Sequence, residues 1–292
     1  MDRSRADRRR RIVQLGLMEV AGLAFLAGLV VAWTHLQSDP LGDVRAYYDA
    51  GARLNQGLPL YDQPATTNEA AFYRYPPLLA IVFRPLALLP FEVAAVIWEM
   101  VVIASLGATL YRLGLRRKST WIAFGLLAIA IGWAVTIGQA HVPVTFLMAL
   151  GTPFGIALAG QLKVFPAVAA IWWLGRGDWG SLARFAVWTL ALVLLQIVLE
   201  PAGSLAYPGT LTLAQVGEVR NISPYAISPA LWAVLAVVGT IATLWLARSE
   251  RWSRAWSWPA AVALATLISP RLLSYQLMTL LAAVRRPDDR DG

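Results

Sequence analysis

The polar side chains able to do chemistry are concentrated between residues 39 and 77, in a chain that is otherwise mostly apolar. Asp43 opens the segment 43–56, whose apolar and aromatic residues have a loose helical spacing. A partly desolvated carboxylate beneath such a helix can accept a proton from a hydroxyl group, so Asp43 is a candidate general base. Its alternative role is to cap a helix that begins at Val44.

Several basic side chains could bind an anion such as a phosphate group. Arginine offers a phosphate two parallel hydrogen bonds, and lysine offers a mobile point charge. Lys163 is the most distinctive, because it lies between apolar segments, directly before Val164-Phe165-Pro166. Lys163 could instead have a purely structural role, but we favour a contact with a phosphate group. The candidate anion-binding residues are Arg45, Arg74, Arg84, Lys163 and Arg271.

The remaining candidates for substrate binding are Gln139, His141, Tyr48 and Tyr75. The tyrosines could stack on a sugar or anchor the chain at the membrane interface, and for most of the tyrosines in this region we favour anchoring. The absence of cysteine and the presence of only two histidines exclude thiolate chemistry and a multi-histidine metal site. We therefore expect no metal and no cofactor. The sequence contains neither G-x-x-x-x-G-K-[ST] nor G-x-G-x-x-G, which argues against a soluble nucleotide-binding domain.

The composition identifies the elements that must position these residues. Hydrophobic residues make up 58% of the 292 residues, charged residues only 14%, and the mean hydropathy is +0.57. A soluble domain carries about 25% charged residues, so this is an integral membrane protein. The net charge of +8 reflects arginines in short cytoplasmic loops rather than nucleic-acid binding. The 23 arginines against two lysines suggest a GC-rich bacterial genome.

The apolar segments predict an all-α helix bundle with about ten membrane helices, several of them short. Residues 1–11 are basic and should be cytoplasmic, and residues 12–284 should form one membrane domain. Within it, 12–34 is an uncleaved first span, 35–90 is an external loop with interfacial helices at 43–56 and 77–90, and 285–292 is a cytoplasmic tail. Counting 77–90 as a full span instead reverses the next two helices and fits the charge rule less well.

The later segments complete this topology in a multi-pass protein of the bacterial plasma membrane with both termini in the cytoplasm. The predicted helices cover 91–114, 119–137, 142–150, 151–163, 164–175, 181–199, 226–247, 257–268 and 272–284. In this arrangement the candidate residues approach one face of the membrane. Polar groups at that depth usually face a cavity or a partner. We therefore expect a shared site there rather than separate capping or snorkelling roles.

These residues lie in a pattern that resembles glycosyltransferase family 87. The matching pieces are Asp43–Gly51, Gly57–Asp62, Tyr75–Ala80, Pro85–Pro90 running into Trp98, Gly138-Gln139, Gly160–Pro166 and Ser269-Pro270. The resemblance implies a GT-C fold and an inverting transfer of a sugar, mannose first, from a polyprenyl-phosphate donor to a lipid or cell-envelope glycan acceptor outside the membrane. It assigns the base of the first external loop to Asp43, and it places Gln139 and Lys163 on motif positions.

The chain departs from the family pattern in two places. Members often have a histidine shortly after Ser-Pro, where this chain has Arg271, and they are usually longer. These departures imply a different acceptor or a membrane protein partner. They also leave open an alternative function, a non-catalytic lipid-binding subunit or a polyprenyl-lipid translocator on the same scaffold. Under both functions the partners are membrane lipids and no nucleic acid.

Overall fold

The computed structural model describes residues 3–61, 73–211, 220–249 and 253–288, and the regular structure within these ranges is helical. The α-helices are α1 Arg3–Ser38, α2 Gly42–Asn55, α3 Pro77–Leu86, α4 Phe91–Leu113, α5 Lys118–Leu126, α6 Ala128–Thr136, α7 His141–Leu150, α8 Pro153–Leu162, α9 Ile171–Arg176, α10 Trp179–Leu199, α11 Pro201–Thr210, α12 Pro224–Ile227, α13 Pro229–Arg248 and α14 Ser253–Leu267. Two 3₁₀ helices, Phe165–Ala170 and Ser274–Val284, complete the set. The predicted all-α fold is therefore confirmed for the described residues.

Four of these helices are long and apolar enough to cross a membrane: α4, α10, α13 and the part of α1 from Arg11 to Ser38. A fifth span results if α5 and α6, which are bent by 67° against each other, count as one. Five further apolar helices have 10–17 residues and are shorter than the ~20 residues that cross a hydrocarbon core. The described residues thus contain four or five full spans and five short apolar helices, and the count of about ten membrane helices, several of them short, stays a prediction.

The predicted single helix over 119–137 is a broken pair whose halves both pack against α1. Small residues allow the close approach, because a side chain on Gly125 would collide with the backbone of Ala21, and one on Gly28 would collide with the backbone of Ala128. Close backbone contact through small residues is a common way for membrane helices to associate. The bend lets α5 and α6 each follow the surface of α1.

The first loop packs against the bundle, with short helices on both sides of the undescribed residues 62–72. Helix α2 confirms the predicted helix over 43–56, and α3 is a ten-residue helix that ends before Phe91 begins α4. Helix α2 is anchored by Tyr47, a fully buried side chain whose ring makes edge contacts with Phe83 at 5.4 Å and Trp98 at 5.9 Å. Aromatic contacts of this kind add to the free energy of apolar burial. Asp62 lies outside the described residues.

A single amide, that of Gln196 on α10, ties three helices together. Its Nε2 donates to Gln161 Oε1 on α8 at 2.6 Å, and its Oε1 accepts from the backbone N–H of Leu78 on α3 at 3.0 Å. Gln196 is 4% exposed, so water does not replace these partners. This amide fixes the start of α3 relative to the end of α8. Tyr75 lies just before α3 and Lys163 directly after α8, so the same amide helps to position both side chains.

We expect Gln196→Leu to lower the thermal unfolding temperature of the purified protein in detergent. The change leaves the Leu78 N–H and the Gln161 side chain without their partner, at about 1–3 kcal/mol for each buried group. Val198→Ala on the same helix is the control, because Val198 is 78% exposed and should cost little. An unchanged unfolding temperature for Gln196→Leu would contradict the role given to this amide.

Candidate functional site

The amino end of α2 is docked on the end of α6 by its backbone. The N–H of Leu41 donates to Thr136 O at 3.1 Å, and the N–H of Asp43 donates to Ile137 O at 3.2 Å. Leu41 has a left-handed backbone with φ of 59°, and the helix begins immediately after it, at Gly42. Asp43 therefore lies inside the first turn, Leu41 is the capping residue, and no side chain caps the helix. The capping interpretation of Asp43 is wrong.

The Asp43 carboxylate is instead held by two side-chain donors from other parts of the chain. Tyr75 donates its hydroxyl to Oδ1 at 3.0 Å, and Gln139 donates Nε2 to Oδ2 at 2.9 Å. Gln139 is fully buried, and its Oε1 accepts from the hydroxyl of Tyr47 at 2.8 Å. That hydroxyl also accepts from the backbone N–H of Ala140 at 3.2 Å. Because both the oxygen and the nitrogen of the Gln139 amide are hydrogen-bonded, its orientation is defined, and it holds the Asp43 carboxylate in place.

Lys163 completes the electrostatics of this cluster. Its ammonium lies over the ring of Tyr75, with Nζ 3.5 Å from the ring centroid, a contact in which the negative face of the ring attracts the cation. Asp43 and Lys163 both lie outside the candidate spans. Burial raises the pKa of the Asp43 carboxyl above its ordinary value, and the Lys163 ammonium opposes part of that rise. Burial likewise lowers the pKa of Lys163, against the attraction of Asp43.

A cavity of about 420 Å³ lies next to the cluster, between the first loop and the later helices. Its polar wall includes Arg74, Tyr75, His141, Lys163, Arg271 and Tyr275, and its apolar wall includes Met148, Phe165, Trp232 and Ala265. Among the lining residues, which all belong to the described part of the chain, none is a carboxylate. The cavity therefore combines a cationic end suited to a phosphate with an apolar surface, at a volume typical of pockets for small ligands.

Arg271 reaches the cavity from a turn that three side-chain hydrogen bonds hold in place. Ser269 Oγ donates to Arg271 O at 2.7 Å, which closes the turn after α14. Asn221 then bridges it, since its Nδ2 donates to Pro270 O and its Oδ1 accepts from the N–H of Leu272, both at 2.9 Å. The Ser-Pro motif thus has a positional role beside Arg271.

The structure brings most of the predicted site residues together. Arg74, Tyr75, His141, Lys163 and Arg271 line the cavity, while Asp43 and Gln139 adjoin it through Tyr75. Three others point elsewhere, and the first is Arg84, whose Nε donates to Asn55 Oδ1 at 3.1 Å. The guanidinium of Arg45 lies 3.4 Å over the ring of Phe91, and the Tyr48 hydroxyl donates to Leu89 O at 2.7 Å. Both side chains hold α2 against the start of α4 and are not among the residues that line the cavity.

Two further residues of the candidate site, Tyr47 and Tyr275, are not among those that the sequence predicts. Tyr47 is one of the first-loop tyrosines, most of which the sequence assigns to the membrane interface, but it is fully buried and its hydroxyl donates to Gln139 Oε1. Its spacing of four residues from Asp43 was the available signal, because residues i and i+4 of a helix lie side by side. Tyr275 packs edge-on against both His141 and Trp133, with centroids 5.6 Å and 5.4 Å apart, and no spacing in the sequence marks it. Within the described residues no three His, Cys, Asp or Glu side chains are grouped as metal ligands.

Comparison with known proteins supplies an independent line of information. Residues 72–270 match the model of glycosyltransferase family 87, a range that includes Tyr75, Gln139, His141 and Lys163 but begins after Asp43. A polyprenol-phosphate-mannose-dependent alpha-(1-2)-phosphatidylinositol pentamannoside mannosyltransferase of Mycolicibacterium smegmatis is 29% identical over 219 residues, 68% of this chain and 52% of the relative. The protein of the same name from Mycobacterium tuberculosis is 27% identical over 230 residues, 70% and 52% of the two chains. The chain thus spans about half the length of these relatives, and no solved structure matches it.

We expect Gly138→Ala to disturb the site by displacing the turn that carries Gln139. Gly138 has a φ of 68°, which costs a residue with a Cβ about 1–2 kcal/mol. The new methyl group would also collide with the Val44 side chain on α2 and lie 2.7 Å from Glu99 Oε1. A fall in thermal unfolding temperature measures the effect. Gly107→Ala on α4 is the control, because nothing lies within 4 Å of its Cβ position, and equal behaviour of the two variants would contradict the argument.

Proposed function

Since the chain belongs to glycosyltransferase family 87, we propose that it is a membrane enzyme that transfers a sugar, mannose first, from a polyprenyl-phosphate donor. The acceptor is a lipid or a cell-envelope glycan on the external face of the bacterial plasma membrane. The choice of donor follows the names of the two mycobacterial relatives, which are polyprenol-phosphate-mannose-dependent mannosyltransferases. The external face follows from the basic amino-terminal residues, which the positive-inside rule places in the cytoplasm.

One observation carries this proposal: a cationic cavity lies against a held carboxylate. Arg74, Lys163 and Arg271 line a volume of about 420 Å³, and Asp43 is joined to its wall through Tyr75. That volume suits the sugar-phosphate end of the donor, and the polyprenyl chain has to lie outside it against the apolar helices. Exposed apolar faces are abundant there, for only 6% of the apolar window of α10 and 11% of that of α13 are buried inside the protein.

The proposed reaction is a direct displacement at the anomeric carbon. The acceptor hydroxyl attacks that carbon while its proton passes to Asp43, the general base, and the bond to the phosphate oxygen breaks. Lys163 and Arg271 stabilise the charge that develops on the departing polyprenyl phosphate, as preorganised donors do in other transfer reactions. A single displacement inverts the anomeric configuration. The side chains present can supply these roles, so the proposal includes no metal and no cofactor.

We expect Asp43→Asn to abolish transfer while leaving donor binding intact. Asparagine has the same shape but cannot take up the proton, and loss of a general base costs about 10²–10⁴-fold in rate. The assay uses the purified protein in lipid with synthetic polyprenyl-phosphate mannose, glucose or arabinose and a lipid extract as acceptor. Asp49→Asn is the matched control, a half-buried aspartate on the same helix whose carboxylate lies beside Arg45.

The same assay separates the enzyme from the lipid-binding subunit or translocator. Transfer by the wild-type protein that disappears in Asp43→Asn and persists in Asp49→Asn supports the enzyme. If the folded wild-type protein transfers no sugar from any of the three donors, the enzyme proposal is wrong and the lipid-binding subunit or translocator remains. Transfer that survives in Asp43→Asn removes Asp43 from the mechanism.

We expect Lys163→Met to lower kcat/KM for the donor by about 10–100-fold, because a charge-assisted contact to phosphate is worth about 1.5–3 kcal/mol, which the variant loses in the transition state. Methionine keeps most of the volume and the apolar stem. Lys118→Met is the control, since Lys118 is the other lysine of the chain and is exposed at the start of α5. Equal kcat/KM values of the two variants for the donor would exclude Lys163 from this role.

A further inference from the structure

Both oxygens of the Asp43 carboxylate already have a donor within the protein. Oδ1 accepts from the Tyr75 hydroxyl and Oδ2 accepts from Gln139 Nε2. Asp43 is also absent from the residues that line the cavity, whereas Tyr75 is one of them. A substrate in the cavity therefore meets the Tyr75 side chain, which joins the cavity to the half-buried carboxylate.

We propose that the Tyr75 hydroxyl relays the proton from the acceptor hydroxyl to Asp43. This inference rests on the proposed glycosyl transfer and adds a second catalytic residue to it. Tyr75 is the group that contacts the acceptor, and Asp43 is the final proton acceptor. The phenol can do this because its oxygen is both a donor and an acceptor of hydrogen bonds.

The relay balances in one step. The acceptor O–H bond breaks and its proton binds the Tyr75 oxygen, while the proton that Tyr75 held moves to Asp43 Oδ1. The acceptor oxygen forms its bond to the anomeric carbon, and the electron pair of the old carbon–oxygen bond leaves with the polyprenyl phosphate. Tyrosine is neutral before and after, the carboxylate becomes a carboxylic acid, and the phosphate group carries the released charge.

The surroundings of Tyr75 hold its hydroxyl in line for this transfer. Its ring makes edge contacts with Tyr47 at 5.2 Å and Tyr73 at 5.5 Å, and its backbone carbonyl accepts from the Tyr61 hydroxyl at 2.7 Å. The ammonium of Lys163 over the ring face favours negative charge on the phenol as the proton leaves. A hydroxyl that is fixed in this way relays a proton without rearrangement.

The two proton movements have to be concerted. Burial, followed by the negative charge of Asp43, raises the pKa of Tyr75 well above its ordinary value, so a free tyrosinate is too costly to accumulate. Each proton must therefore arrive as the other departs. The relay therefore predicts that two protons are transferred in the transition state, whereas a direct reaction of the acceptor with Asp43 transfers only one.

The variant test is Tyr75→Phe in the full chain, measured by single-turnover transfer in lipid with the donor that is active in the wild-type protein. Phenylalanine keeps the ring and its contact with Lys163 but removes the relay. We expect the rate of transfer to fall by about 100-fold or more on the pH-independent plateau, with the affinity for the donor unchanged. Tyr111→Phe is the control, because Tyr111 is 77% exposed near the end of α4 and should keep full activity.

A Tyr75→Phe protein that transfers at the wild-type rate, or faster, overturns the relay and favours direct contact of the acceptor with Asp43. The result is distinguishable from failure of the proposed function, because Asp43→Asn would still be inactive in that case. If Asp43→Asn transfers normally, the general base itself is misassigned and the relay falls with it.

A second measurement needs no substitution and does not depend on a variant that folds. The wild-type single-turnover rate is measured in mixtures of H₂O and D₂O. Two protons moving together give a curved dependence on the deuterium fraction, which supports the relay. A straight line, or no isotope effect on the transfer step, overturns it.

Discussion

Asp43 is a half-buried carboxylate at the point where the first loop meets the rest of the bundle. A buried charge is stable only where donors replace its lost hydration. Here the donors are Tyr75 and Gln139, which come from the entry to α3 and from the turn before α7. Satisfying one carboxylate therefore requires that three separate segments meet. If helix α2 left this position, it would lose both of these hydrogen bonds and the contacts that bury Tyr47.

The long helices and the short helices of the bundle have different surroundings. The long helices α1, α10 and α13 are mostly exposed along their apolar windows, as expected of surfaces that face lipid tails. The short helices are packed inside and carry Lys163, His141 and the turn of Arg271 to the cavity. Helices too short to span can begin and end within the bundle. Their ends, which carry these side chains, then lie beside the cavity.

The sequence alone located much of this site, and its failures have identifiable causes. The loose helical spacing of 43–56 predicted α2 to within one residue at each end, and the isolation of Lys163 among apolar residues marked it as a ligand-binding candidate. Arg45 and Tyr48 have the same residue types as the cavity residues but point toward Phe91 and Leu89. Residue type indicates what a side chain could bind. It does not indicate which face of α2 turns toward the cavity, because that depends on how the helix docks on α6.

Composition and hydrophobic periodicity determined that this protein is a membrane helix bundle and that its longest polar segment, which carries Asp43, is the first loop. Those properties depend on residue type and local spacing, which a single chain displays directly. Tertiary structure alone decided that Gln139 and Tyr75 hold Asp43, that Tyr47 orients Gln139, and that Tyr75 stands between the carboxylate and the cavity. Tyr47 and Gln139 are 92 residues apart in the chain, so the packing of helices brings them together rather than any local preference.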